Sequence, residues 1–288
     1  MSNDKRLALV GAGHDESLRS LRSASQDGSV SIVLFGDPQS IEASLERVGW
    51  KGDSFTIVPC VDDAESCRRA VCAASAGEVQ VLMKGSVHTA DFIKAILDKQ
   101  AALVPEGAVL SHVARVALPW MAKPMLLTDA AINIAPDLER KVTILKNALY
   151  VARKAGIACP KVALVCPVET VNPKIVSTTD AAQIVFLQNN TALLECARIE
   201  GPFGLDVALS RQAALTKGIQ GEVPGSPDIL LLPNLDSANA TLKAFSAIPG
   251  VSYAGIVAGG RIPIVLTSRS DSAETRVESI KMALSISG

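Results

Sequence analysis

An α/β protein of two α/β units is expected from this chain on three grounds. Short, almost wholly apolar runs recur along its 288 residues, and such runs suit strands buried on both faces of a sheet. Helix-compatible segments lie between them, so strand and helix alternate, as they do in a largely parallel sheet covered on both sides. The strand candidates also outnumber what one compact sheet usually holds, which favours two units over one.

The elements follow in order. LALVG at 7–11, SIVLFG at 31–36, FTIVP at 55–59 and VQVLM at 79–83 are strand-like, with SLRSLRSAS, SIEASLERV and ESCRRAVCAAS helix-compatible between them. In MKGSVHTADFIKAIL at 83–97, Phe92 and Ile96 fall on one helical face with Ile93 and Leu97 beside it, so a helix begins near Thr89 or Ala90. Thr89 is a suitable N-cap, and Asp91 in the first turn suits the macrodipole. AVLSHV at 108–113 and MLLTDAA at 125–131 are the next strands. Pro136 starts a helix whose solvated first turns carry Asp137, Glu139, Arg140 and Lys141. KVALVC at 161–166, DILLLP at 228–233, AGIVAG at 254–259 and PIVLTS at 263–268 complete the strand candidates. Asp271 and Glu274 have the spacing of a capping box for the last helix, with Ala273, Val277, Ile280 and Leu284 as its buried stripe. The break between units is expected near WMAKPM at 120–125, where Pro119 and Pro124 bracket a short segment.

Composition narrows the function classes. Apolar residues make up 48% and charged residues 20% of the chain, ordinary values for a globular protein. Aromatics are only 3%, so the core is aliphatic. A net charge of -1 argues against a nucleic-acid footprint, which needs a basic face, but permits a small anionic ligand held by a local cluster. No apolar stretch approaches the roughly 20 residues of a membrane span. Lys5 and Arg6 precede an apolar run that Gly11 interrupts, too short for a signal peptide. The 6 cysteines, at 60, 67, 72, 159, 166 and 196, show neither a CxxC pair nor metal-ligand spacing, and read as reduced residues of a cytoplasmic protein.

Two segments suggest an anion seat. Ser268, Arg269 and Ser270 stand between the end of a strand and the start of a helix. An Arg there can hold a phosphate bidentately while hydroxyls and helix N–H groups complete the shell; the other reading is a surface Arg on a turn. Lys84, Gly85, Ser86 and His88 precede a helix in the same way, and an ordinary loop with a solvated Lys is the alternative. GAGHDE at 11–16 lacks the third Gly of a dinucleotide fingerprint, its place taken by Glu16, and reads as a strand-to-helix turn. Asp129 ends a strand, and its surroundings read as structural. His14, His88 and His112 show no metal-site pattern, and no GxSxG elbow is present.

Taken together, MKGSVHTADFIKAIL, KPMLLTDAAINIAPDLERKVTILKNAL, PKVALVCPVETVNPKIVSTTDA, EGPFGLDVALSRQAALTKGI, DILLLPNL and IPIVLTSRSDSAE resemble the phosphate acetyl/butyryl transferase family over nearly the whole chain. The likeness is greater to its butyryl and short acetyl branch. The resemblance implies two α/β domains with a cleft, in a fold related to isocitrate/isopropylmalate dehydrogenase. Residues 1–122 with 263–288 would form one domain and 123–262 the inserted one. It implies a reversible reaction, acyl-CoA plus phosphate giving acyl phosphate plus CoA, and a homodimer or larger assembly. No tightly bound cofactor or metal is implied, coenzyme A entering as substrate.

By resemblance, Ser268 and Arg269 match the Ser-Arg pair that holds the phosphoryl group. Lys94 stands where the acetyl branch has an Arg, while Ser86, His88 and Thr89 would line the same mouth, with Lys84 of the preceding loop as a further substrate-binding candidate. Asp206, Asn239 and Lys243 match positions in the other domain. The chain departs from the pattern at Thr275, where the acetyl branch has an Asp proposed as the base; neighbouring Asp271 or Glu274 could substitute as the catalytic carboxylate, and both also explain themselves as caps. Ala130 replaces a Cys, GSPDIL at 225–230 replaces GDADIL, and DSAN at 236–239 replaces EAGN. A non-catalytic relative that binds CoA or acyl phosphate is the competing reading. An NAD-linked dehydrogenase of the related fold would need a carboxylate cluster and a nucleotide loop, and the sequence carries neither.

Overall fold

The computed structural model describes residues 5–26, 28–52, 54–268 and 271–288. They form two compact units, one running up to Ala108 and resuming over Ala254–Gly288, the other spanning Val109–Tyr253.

The first unit opens with β1 (Lys5–Val10), α1 (Asp15–Ala24), β2 (Val30–Gly36), α2 (Pro38–Arg47), β3 (Phe55–Pro59), α3 (Asp63–Ser75), β4 (Val81–Lys84) and α4 (Thr89–Ile96). Local chemistry sets the helix starts. Asp37 accepts from the Ser40 amide with Pro38 at the first helical position of α2, and Asp62 accepts from the Glu65 amide to start α3. β1 pairs in parallel with β2 on one side and β4 on the other, with Leu7 opposite both Ile32 and Val81. Leu7, Leu9, Leu34 and Leu82 are fully buried, which is why these runs carry no polar alternation.

The second unit contains β5 (Ser111–Ala117), β6 (Met125–Thr128), α5 (Leu138–Lys154), β7 (Lys161–Val165), α6 (Val176–Asn190), a turn of 3-10 helix (Ala192–Leu194), β8 (Arg198–Phe203), α7 (Leu205–Leu209), α8 (Arg211–Thr216), β9 (Ile229–Leu231) and α9 (Leu235–Ser246). Its strands lie in the order β5-β6-β9-β7-β8. α5 packs on β5, β6 and β9 and α6 on β8, covering one face. On the other face Val207, Ala214, Leu242 and Phe245 of α7, α8 and α9 close over Leu127, Ala163, Val165 and Leu230.

The chain then returns through β10 (Ser252–Ala258), β11 (Ile264–Val265) and α10 (Ala273–Ile286). The first unit's strand order is β3-β2-β1-β4-β11-β10. β11 lies parallel to β4 and antiparallel to β10, and α10 packs beside α1.

Four expectations need correction. The break between units falls at 108/109, not near 120–125, because β5 and β6 pair antiparallel, Val113 opposite Thr128, as two arms of a hairpin. Pro119 and Pro124 end its strands. The return occurs at Ala254 rather than 263, since β10 pairs with β11. The N-caps of α4, α5 and α10 are His88, Asp137 and Ser272, in place of Thr89, the start at Pro136, and Asp271. The buried face of α10 is Thr275, Arg276, Ser279, Ile280, Met282, Ala283 and Ile286, so Ala273, Val277 and Leu284 lie off it. Polar members of that face are satisfied in place: Ser279 Oγ donates to the Thr275 carbonyl at 2.7 Å and accepts from the Gly255 amide at 2.9 Å.

Candidate active site

In the first unit β1 feeds α1, which packs against α2 and α10, whereas β4 feeds α4, which packs against α3. Neighbouring parallel strands whose connections leave toward different helix layers open a crevice at their carboxyl ends, the usual ligand position in open α/β sheets. A cavity of about 710 Å³ lies there. His14, Glu16 and Ser17 line it from the α1 side, Lys84 to Thr89 from the α4 side, and Thr267, Ser268 and Arg276 from the last segment.

The two loops at its base touch backbone to backbone. The Gly85 amide donates to the Val10 carbonyl at 2.8 Å and the Ser86 amide to that of Gly11 at 2.9 Å. Ser86 Oγ adds a bond to the same oxygen at 3.0 Å. A Cβ on residue 85 would overlap the Gly11 carbonyl oxygen, and one on Gly11, whose φ is +73°, would sit 2.7 Å from Val87 Cγ1. Both positions therefore require glycine. Lys84 Nζ donates to the Gly85 and Val87 carbonyls at 3.1 and 3.0 Å, so its ammonium braces the loop as well as facing the cavity.

Two helices begin at this cavity without a side-chain bond from their N-cap residues, His14 for α1 and His88 for α4. Their first-turn N–H groups suit an anion. His14 Nδ1 instead lies 3.2 Å from Ser17 Oγ. Arg276, its side chain only 8% exposed, pairs with the half-exposed Glu16 at 2.8 Å and brings a guanidinium to the wall. The Ser268 amide donates to Asp271 Oδ2 at 2.6 Å. Thr275 Oγ1 accepts from the Ser272 hydroxyl at 3.1 Å, so the residue at the position of the acetyl-branch Asp is part of the helix start.

Of the residues singled out from sequence, Lys84, Ser86, His88, Thr89 and Ser268 line this one cavity. Arg269, with Ser270, lies outside the described residues. Asp271 and Glu274 sit beside the Ser268 segment but not on the wall, and Lys94 is exposed on α4. Asp206, Asn239 and Lys243 belong to the second unit. There Lys217 holds the Asp206 carboxyl below its ordinary value and also bonds Glu169. Asn239 Nδ2 donates to the Ala130 carbonyl at 2.9 Å, and Lys243 is exposed on α9. Asp129 is structural: its carboxylate accepts from the amides of His112, Ala131, Ile132 and Asn133.

Sequence reading missed His14, Glu16 and Arg276 as wall residues. The available signal for Arg276 is a charge placed at the period of a helix's buried side. Among the described residues no group of three His, Cys, Asp or Glu could hold a metal. No described helix is long and apolar enough to cross a membrane.

Comparison with known proteins agrees with the motifs. The family described as phosphate acetyl/butaryl transferase matches residues 37–284. A phosphate butyryltransferase of Clostridium acetobutylicum is 36% identical over 284 residues, which is 99% of this chain and 94% of the relative. A phosphate acetyltransferase of Thermotoga maritima is 36% identical over 97% of this chain and 94% of its own. The crystal structure of a branched-chain phosphotransacylase from Enterococcus faecalis V583 is 31% identical, covers 98% of both chains and superposes with a TM-score of 0.87. On this match, which spans most of its length, the chain belongs to the phosphate acetyl/butaryl transferase family.

Proposed function

We propose that this protein catalyses the reversible transfer of a short-chain acyl group between coenzyme A and inorganic phosphate, with butyryl-like acyl groups preferred. A phosphate oxygen attacks the thioester carbonyl, the C–S bond breaks and CoA leaves as the thiolate, which takes up a proton. In reverse the thiolate attacks the acyl phosphate carbonyl and phosphate departs. Negative charge develops on the carbonyl oxygen and then on the leaving group, so preorganised donors and cations lower the barrier. The reaction needs no tightly bound cofactor; CoA is a substrate.

The observation that carries this reading is the cavity at the ends of β1, β4 and β11, where Lys84, Ser86, His88, Thr89, Ser268 and Arg276 meet two helix N-termini. In this reading Ser268 and Arg269 hold the phosphoryl group. Lys84, Ser86, His88 and Thr89 surround it, with Lys94 at the mouth. Asp271 fixes the Ser268 backbone, and Glu274, exposed in the first turn of α10, is the carboxylate to test as base. Asp206, Asn239 and Lys243 serve substrate binding from the second unit. The six thiols are free, which supports a cytoplasmic setting; the family resemblance supports a homodimer or larger homo-oligomer.

Thiol release from acetyl-, propionyl-, butyryl- and valeryl-CoA, with and without phosphate, tests the reading. Phosphate-dependent release, fastest with butyryl-CoA, is expected. Tight CoA binding with no release from any substrate would identify a non-catalytic relative and make Thr275→Asp the variant to try.

A further inference from the structure

We infer that the first unit carries a second ligand site, a cavity between α3 and the face of β1, β2 and β3, suited to a small organic dianion: a phosphate monoester on a compact planar or apolar body. It shares no lining residue with the cavity at the carboxyl ends of the strands, and it does not rest on the proposed reaction.

The chain order explains the opening. β1, β2 and β3 step toward one edge of the sheet, and α3 then carries the chain back across to β4. Right-handed crossovers therefore put α3 on the face opposite α1 and α2. There it packs on β1, β2 and β4. β3, at the edge, is covered least: Thr56 is exposed and Val58 half-buried, whereas Val33 and Phe35 of β2 are buried. The register sets Val33 beside Thr56 and Phe35 beside Val58, all four facing the same side. A cavity of about 600 Å³ lies between them and the helix, within the range of small-molecule sites.

Its floor is apolar and its rim cationic. Arg69, Cys72, Ala73 and Ala76 recur at the spacing of one helical face, and the two alanines keep that wall low. Arg68 stands beside Arg69, and Arg6 joins them from the start of β1. Among the described residues none of the three guanidiniums is in an ion pair. Arg69 is oriented by the bond it donates to the Pro59 carbonyl. Glu78 is the one carboxylate of the described lining, so three positive charges against one negative leave a surplus of two. Guanidiniums gathered without counter-charges repel one another, and a bound dianion relieves that repulsion. A phosphate monoester carries about −1.5 to −2 charges on three oxygens, which planar guanidinium forks hold bidentately. Inorganic phosphate would leave the floor of Val33, Phe35 and Val58 unused, so the matching ligand adds an apolar or planar body to its phosphate.

Cys72, an exposed thiol on this wall, reports occupancy in place. The wild-type protein is alkylated with iodoacetamide over a titration of phenyl phosphate, and labelling of each exposed thiol is followed by peptide mass spectrometry. Phenyl phosphate is expected to protect Cys72 and to leave Cys159 and Cys196, both in the second unit, unchanged. No protection of Cys72, or equal protection of all three thiols, overturns the site and needs no variant. Arg6→Gln and Arg68→Gln, with folding checked by circular dichroism and melting, should each raise the concentration for half protection about tenfold or more, the size of one lost hydrogen bond to a charged group. An unchanged value in either folded variant overturns the assignment of that anion to these arginines. Inorganic phosphate protecting Cys72 at the same concentration as phenyl phosphate would make this a bare anion seat. Phenol doing so would make it a plain apolar groove, and either result overturns the ligand class.

Discussion

Asp271 and Ser268 hold each other across the start of the last helix. The Asp271 carboxylate accepts from the Ser268 amide at 2.6 Å, and the Asp271 amide returns a bond to the Ser268 carbonyl at 3.2 Å. A carboxylate acceptor makes the first the stronger of the two. Asp271→Ala is expected to raise the phosphate KM by about tenfold, the size of one charge-assisted hydrogen bond, while costing the exposed segment under about 1 kcal/mol of stability. Steady-state kinetics beside a urea melt checks both numbers. Arg269→Ala should act more severely, raising the phosphate KM or abolishing turnover, and unchanged kinetics in a folded Arg269 variant would remove the anion seat.

Glu16 and Arg276 form an ion pair between the first and last helices of one unit. Arg276 is buried and Glu16 half exposed, so the pair lies between the small value of a surface bridge and the large one of a buried pair. A double-mutant cycle of Glu16→Gln and Arg276→Met should give a coupling energy of about 1–2 kcal/mol. A coupling near zero would mean that the helices are held by packing alone.

Gly85→Ala should lower stability by more than about 3 kcal/mol, because the new methyl would overlap a backbone oxygen in the tightest contact of the site. Chemical denaturation gives the number. An alanine variant of wild-type stability would show that the two loops can separate at little cost.

Lys141 and Asp180 make the most buried ion pair described, with side chains 8% and 12% exposed. Asp180→Ala leaves a buried ammonium without its counter-charge and should cost about 3–5 kcal/mol. The double variant Lys141→Met, Asp180→Leu should cost less than that single change, since it removes both charges. Equal or greater loss in the double variant would mean that the pair's own attraction dominates.

Asp15 titrates unusually low. The hydrogen-bonded Arg47 guanidinium, followed by the Ser44 hydroxyl, lowers its carboxyl from 3.8 to about 2. The folded value is depressed, so the associated stabilisation is fully present above 3.8 and disappears as pH falls through about 2. Carbon-detected NMR of the Asp15 carboxyl should show its midpoint move back toward 3.8 in Arg47→Ala. No movement would assign the depression to Ser44 and Arg19.

Much of the fold could be read from the residues because its strands are buried on both faces. FTIVP at 55–59 coincides with β3, and SIVLFG and KVALVC fall within a residue of β2 and β7. Where burial is polar, the reading failed. Ser279 and Arg276 occupy the inner side of α10, so apolar periodicity selected the half-buried Val277 and Leu284 instead. Pro119 and Pro124 signalled a chain reversal, and a hairpin turn and a domain break look alike in one sequence. At the site, the loop from Lys84 to Thr89 was legible because a strand, glycine and helix start are contiguous there. The Glu16–Arg276 pair was not, because it joins opposite ends of the chain, and the periodicity that marks Arg276 does not name its partner.

The most direct test of the proposed reaction is the fate of the acyl group. Butyryl-CoA and inorganic phosphate, incubated with the protein and followed by phosphorus NMR beside a thiol assay, should give one butyryl phosphate for each thiol released. Thiol released without acyl phosphate would mean transfer to water, and would contradict a phosphate acyltransferase.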